Sequence, residues 1–133
     1  MSGYLGSIGF SFPAAMGAWA AAGRTRKIVS VSGDGGFGQY MGDFNTAVKY
    51  NMPICHILLN NEELGKISKE QRAGRFQVWQ TGLSNPNFAE YAKLCGGHGF
   101  RATKPDEVPA AIEAGLNTDG PVIVEILTDP TQT

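Results

Sequence analysis

Residues 27–61, KIVSVSGDGGFGQYMGDFNTAVKYNMPICHILLNN, decide how this chain folds. KIVSVS (27–32) is a short β-branched run that halts at Gly33, and such side chains favour a pleated strand. YMGDFNTAVKYN (40–51) then sets Met41, Phe44, Ala47 and Val48 at the spacing of one helix face. PICHILLN (53–60) is apolar almost throughout, as a strand covered on both sides must be. Strand, helix and strand follow in order. Two-sided apolar strands joined by a helical crossover imply a parallel sheet.

Outward from this unit the same alternation continues. Upstream, Pro13 suits the first turn of a helix that AAMGAWAAA continues and Gly23 stops. Downstream, EELGKISKEQRAGRFQVWQTGLSNPN is a polar excursion with room for one or two helical turns around Ile67 to Arg72. Long polar loops inside compact domains often carry function. NFAEYAKLCG (87–96) reads as helix, HGFRAT as a short strand, PDEVPAAIEAGLN (105–117) as a helix entered through Pro105 and Asp106, and PVIVEIL (121–127) as the last strand. The fold class expected is α/β, a parallel sheet flanked by helices on both faces. Residues 1–133 would form one domain. Because Met1 leads straight into the glycine loop SGYLGSIG with no strand before it, that domain is expected to be truncated at its N-terminus.

Composition removes several function classes. Lys and Arg number 11 against 12 for Asp and Glu, so no broad positive field exists to grip a nucleic acid. The most apolar early segment, GFSFPAAMGAWAAAG, is too short and glycine-broken for a transmembrane span, and no basic leader precedes it. Cys55 and Cys95 lack metal-ligand spacing and sit in apolar runs, which suits core thiols in a reducing cytoplasm.

Ligands of parallel α/β sheets collect at the carboxyl ends of the strands, where both GDGG (33–36) and NN (60–61) fall. Gly33, Gly35 and Gly38 fit G-x-G-x-x-G, the dinucleotide fingerprint, yet the following strand ends in Asn60 and Asn61 rather than the acidic residue that holds a ribose. Asp34 also puts negative charge where a phosphate would sit. A divalent cation resolves this conflict. Asp34 and the Asn61 carboxamide would bind the metal, a backbone carbonyl after Asn61 would add a third oxygen, and phosphate oxygens and water would complete the octahedron of Mg²⁺. Gly35 and Gly36 would let backbone N–H groups approach the phosphates. The plainer reading is that Asp34 stabilises a turn and the two asparagines form Asx turns.

GDG at 33–35 followed by NN at 60–61, with 24 residues between, resembles the motif of thiamine diphosphate-dependent 2-oxoacid enzymes. GYLGSIGFSFPAAMGA resembles the segment preceding GDG in pyruvate decarboxylases, acetolactate synthases and pyruvate oxidases. The resemblance covers nearly the whole chain and matches the C-terminal, diphosphate-binding domain of those enzymes. It implies a cofactor pocket lined by Gly6, Ser7, Ile8, Gly33, Asp34, Gly35, Gly36, Asn61, Glu63, Leu64, Gly65 and Ile67. Asp34 and Asn61 would be side-chain ligands of Mg²⁺, and Glu63 would give its main-chain oxygen. Ile8 would sit under the cofactor and force its V shape, while the Gly6 carbonyl would accept a hydrogen bond from the aminopyrimidine. Holding that amine against the reacting carbon is proximity catalysis.

NNEELGKISKEQ is most similar to pyruvate oxidases, where a Glu-Gln pair follows at the same distance, and this would put Glu70 on the substrate side. Its plainer role is a solvated helix partner of nearby Lys and Arg. The resemblance further implies a 2-oxoacid substrate such as pyruvate, a pyrimidine-binding domain from a second subunit of a homo-oligomer, and FAD, if used, bound outside this domain. The chain alone is then expected to be inactive. A non-catalytic diphosphate-binding module and a dinucleotide-binding domain are the rival readings. His56 and His98 are expected to be structural and Trp19 to pack a helix. Trp79 is expected in loop packing or an active-site flap. The dispersed Lys66, Lys69, Arg72, Arg75 and Arg101 are expected to form a solvated face.

Overall fold

The computed structural model describes residues 6–130. Its sheet contains β1 (Ile28–Gly33), β2 (Ile54–Asn60), β3 (His98–Ala102) and β4 (Val122–Leu127), all parallel and ordered β1-β2-β4-β3. Around it lie α1 (Ser11–Ala21), α2 (Asp34–Tyr40), α3 (Asp43–Lys49), α4 (Gly65–Ala73), α5 (Phe88–Leu94) and α6 (Val108–Asn117), the last preceded by a 3₁₀ turn at Pro105–Glu107. Met1 to Leu5, the beginning of the glycine loop, lie outside the described residues. No helix among those described is long and apolar enough to cross a membrane.

Strand order decides which face each helix covers. Crossovers between parallel strands are right-handed, so those that advance across the sheet lie on one face and the one that steps back, from β3 to β4, lies on the other. One core accordingly joins Phe12, Ala15 and Trp19 of α1 with Phe37, Phe44 and Ala47, and with Phe88 and Ala92 of α5, against Ile54, Leu58 and Ile123. The second packs Val108, Ala111 and Ile112 of α6 on Cys55, Val122, Val124 and Ile126. Phe12, Phe37, Phe44 and Phe88 are essentially inaccessible, and burying each such ring contributes about 1.5–3 kcal/mol. Beside β1 the second face is bare, with Val29 and Val31 half exposed. The outer edge of β1 is partly satisfied by α1, whose Ser11 Oγ donates to the Val31 carbonyl at 2.8 Å.

The structure departs from the expected elements in two places. The helix read from Tyr40 begins at Asp34, directly after β1, and breaks at Met41–Gly42 into α2 and α3. Glycines weaken helices in isolation, so GDGG looks like a loop; burial of Phe37 between Phe12 and Phe88, with ring centroids 5.5 and 5.7 Å away, overrides that preference. In the polar excursion, α4 is nine residues long rather than one or two turns. Both cysteines are free; Cys55 is buried and Cys95 only partly so.

His56 is the structural histidine expected, and two serines of β1 partner its ring. It has no exposed surface and lies against Phe12 and Phe37, at centroid distances of 5.2 and 4.8 Å. Its Nδ1 is 2.7 Å from Ser30 Oγ and its Nε2 is 3.1 Å from Ser32 Oγ. A neutral imidazole has one donor and one acceptor for these two hydroxyls. Burial pushes its pKa down to about 3. His98, by contrast, is exposed at the first position of β3. Trp19 packs inside α1's core with the Arg24 guanidinium 5.4 Å from its ring.

Candidate functional site

At the carboxyl ends of β1 and β2 the chain gathers an acid, two carboxamides and a run of backbone N–H groups. Asp34 is only 2% exposed although it carries a carboxylate. Its Oδ1 accepts from Gly35 N–H at 2.9 Å, and its Oδ2 accepts from Glu62 N–H at 2.8 Å and from Asn85 Nδ2 at 2.7 Å. All these donors are neutral. Among the described residues no Lys, Arg or His forms an ion pair with Asp34.

The loop after β2 is held in a fixed shape. Asn60 Oδ1 and Asn61 Oδ1 each accept a hydrogen bond from the backbone N–H two residues on, Glu62 and Glu63, both at 3.2 Å. The Asx turns considered from sequence are therefore present; the Asn60 oxygen also accepts from Asn85 Nδ2, and the Asn61 oxygen keeps a second lone pair. Glu62 adopts φ 56°, an uncommon left-handed conformation for a non-glycine residue, and its N–H is tied to both Asp34 and Asn60. Glu63 forms an isolated antiparallel bridge with Gly82. The flanking bonds, Leu64 N–H to Thr81 O at 2.8 Å and Leu83 N–H to Glu62 O at 2.7 Å, make the ladder, so the Glu63 carbonyl points away from the partner segment.

A groove of about 1520 Å³ opens over these strand ends. Gly6, Ser7 and Ile8 line it from the N-terminal loop; Gly33, Asp34, Gly35 and Gly36 from the β1–α2 junction; and Asn61, Glu63, Leu64, Gly65, Ile67 and Glu70 from the start of α4. Every residue expected in the cofactor pocket, with Glu70, thus borders one space. Two glycines are needed for the approach. A Cβ on Gly36 would lie 3.3 Å from the Gly9 nitrogen, and one on Gly35 would lie 2.7 Å from Leu64 Cδ2. Ile8 is 48% exposed, an apolar side chain left facing the opening.

Glu70 lies on the exposed side of α4 with Lys66 at 3.9 Å, so it has the solvated helix partner foreseen as its plainer role while also bordering the groove. Gln71 next to it fixes the following segment, accepting from Trp79 N–H at 3.0 Å and donating to Trp79 O at 3.2 Å. Trp79 itself is 68% exposed. The side chain of Glu63 accepts from Ser68 Oγ at 2.5 Å and lies 3.6 Å from the Arg72 guanidinium.

Two residues of the site, Asn85 and Glu125, were missed from sequence, and Asn60 was read there only as a motif and turn residue. Glu125 is a lone acid in the apolar strand PVIVEIL, a readable signal of a buried polar partner. Asn85, in a polar loop before Pro86, gave no signal.

The donor set fits a hard cation with a phosphate ligand. Magnesium takes one or two carboxylates, neutral oxygens, phosphate and water, and the Asp34 carboxylate with the Asn61 carboxamide on the same groove would supply the protein's share. No cluster of three or more His, Cys, Asp or Glu is found among the described residues.

Comparison with known proteins shows the family. Residues 1–126 match the family model for the C-terminal TPP binding domain of thiamine pyrophosphate enzymes, and the chain belongs to that family. It is 38% identical over 127 residues to YdaP of Bacillus subtilis (strain 168), a protein named after thiamine pyrophosphate, covering 96% of this chain and 22% of that one. It is 35% identical to the large subunit of acetolactate synthase isozyme 2 of Escherichia coli (strain K12), over 94% of this chain and 23% of that subunit. The mitochondrial acetolactate synthase catalytic subunit of Aspergillus candidus is 33% identical over 96% of this chain and 18% of its own length. The chain therefore spans about a fifth of the length of these relatives.

Proposed function

We propose that this chain holds the diphosphate of thiamine diphosphate through Mg²⁺, as one domain of an oligomeric enzyme that decarboxylates a 2-oxoacid such as pyruvate. The observation that carries this reading is the groove itself. Three separate segments, 6–8, 33–36 and 61–70, converge on a buried carboxylate whose partners are all neutral.

In this reading Asp34 and Asn61 hold the metal through side-chain oxygens and Glu63 through its carbonyl. Bound thiamine diphosphate supplies a nucleophilic carbon and an electron sink for loss of CO₂. The chain's own residues bind and orient. Gly35 and Gly36, which carry no side chains, would leave room for the diphosphate, Ile8 would support the cofactor, and the Gly6 carbonyl would accept from its amine. Leu64, Gly65 and Ile67 close the wall beside it, and Glu70 orients the 2-oxoacid or handles its protons. The groove runs on from the strand ends along the bare face of β1 and α1, past Val29, Val31, Ala14 and Ala18, and a pyrimidine-binding domain of another subunit would close its open side over the cofactor.

Two fates of the decarboxylated substrate are supported by different observations. The names of the acetolactate synthase relatives favour ligation to a second 2-oxoacid. The Glu70-Gln71 pair favours pyruvate oxidase-like oxidation, with FAD held outside this domain. Titration calorimetry with thiamine diphosphate, with and without Mg²⁺, tests the central claim: magnesium-dependent heat is expected. Equal binding in the presence of a chelator would remove the metal roles of Asp34 and Asn61, and saturable NAD(H) binding without thiamine diphosphate binding would select the dinucleotide reading instead.

A further inference from the structure

We propose that Asn85 is a positioning residue that sets the orientation of Asp34, and that it is itself oriented by a buried relay through Asn60 to the Glu125–Arg101 ion pair. The inference rests on the metal reading above and deepens it. Glu125 is completely buried in β4. Its Oε2 is 3.2 Å from Arg101 Nε and accepts from Ala89 N–H, while its Oε1 accepts from Asn60 Nδ2 at 2.8 Å.

That last bond decides everything above it. Because a carboxylate only accepts, the Asn60 amide must turn its nitrogen toward Glu125 and its oxygen toward the groove. The Asn60 oxygen then meets Glu62 N–H at 3.2 Å and Asn85 Nδ2 at 2.9 Å. Asn85 is thereby oriented too. One proton of its amide goes to Asn60, and the other is directed at Asp34 Oδ2, 2.7 Å away. Orientation passes from the centre of the sheet to the metal-facing acid through two amides, each with one workable flip.

The neutrality of Asn85 is as important as its geometry. A lysine or arginine here would pair with Asp34 and compete with a cation, whereas an aspartate would repel it. A carboxamide holds the carboxylate in place and leaves its charge available. Outer-shell partners of this kind change metal affinity by about 10–100-fold.

Asn87 is the matched control, since its side chain caps α5 by accepting from Glu90 N–H at 3.0 Å and belongs to none of these bonds. In the 133-residue chain, Asn85→Ala is expected to raise the Mg²⁺ concentration needed for half-maximal thiamine diphosphate binding by about 10–100-fold. Asn87→Ala, which costs helix stability, should leave it unchanged. A second arm needs no ligand: a double-mutant cycle of Asn85→Ala with Asp34→Ala, read by urea unfolding, should depart from additivity by at least about fivefold in the unfolding constant. The side-chain amide proton signals of Asn85 should also shift in Asp34→Asn and in Arg101→Met. An additive cycle with unmoved signals would overturn the proposal. Equal magnesium dependence in Asn85→Ala and wild type would do the same. Absence of magnesium-dependent binding in the wild type would instead refute the metal reading, leaving the cycle and the amide signals to decide whether Asn85 orients Asp34.

Discussion

Acid should destabilise this chain through His56, by an amount set by how completely the structure excludes water from that ring. The imidazole is neutral in the folded state because burial lowers its pKa from 6.5 to about 3. Once unfolded it takes up a proton near pH 6.5, so between those limits the unfolded state binds more protons and stability falls as pH falls. The contribution is fully present above about pH 6.5 and is lost progressively toward about pH 3. At about pH 5 the linkage amounts to roughly 2 kcal/mol, at about 1.4 kcal/mol per unit of pKa difference. Replacing His56 by Gln removes the titration but also the ring contacts with Phe12 and Phe37, so the variant should be less stable at neutral pH by about 1–3 kcal/mol. The decisive quantity is the gap between the two proteins. Urea unfolding followed by fluorescence of the buried Trp19 should show that gap narrowing by about 2 kcal/mol between about pH 7.5 and about pH 5. Other titrating groups are common to both proteins and cancel. A gap that stays constant would mean that His56 does not remain neutral in the fold, and the burial argument would fail.

The remaining predictions concern packing and the site. Asp34→Asn should weaken magnesium-dependent thiamine diphosphate binding by more than about 100-fold in calorimetry, beyond the effect of an outer-shell change. Gly99→Ala places a Cβ 2.0 Å from the Ala89 carbonyl oxygen, a backbone atom that cannot step aside, so it should cost more than about 3 kcal/mol or abolish folding, as thermal unfolding would report. Arg101→Met strips the charged partner from buried Glu125 and should cost about 2–3 kcal/mol in urea unfolding, below the full value for a buried pair because the Arg101 side chain is 36% exposed.

What could be read from sequence followed from periodicity and from motifs with a physical conflict inside them. β2 and β4 were plain because strands covered on both faces must be apolar throughout, and Asp34 stood out because an acid in a phosphate-type turn demands an explanation. α2 was not readable: its glycines disfavour helix locally, and only the packing of Phe37 among rings from α1 and α5 reveals what stabilises it. Asn85 was hidden for a different reason. Its role depends on a loop folding back 51 positions to Asp34, and nothing in the residues around it encodes that return. Glu125 was legible in principle, since one acid in PVIVEIL requires a buried partner, but its link to Asn60 needed the β2–β4 register.

The two hydrogen bonds flanking the Glu63–Gly82 pair act as the neck of a pouch. Everything from α4 to Trp79 hangs from that neck, and two side chains inside the pouch, Ser68 and Arg72, reach back to the Glu63 carboxylate at its mouth. A change at either would therefore be felt where the pouch is drawn shut, next to the groove that Glu63 borders.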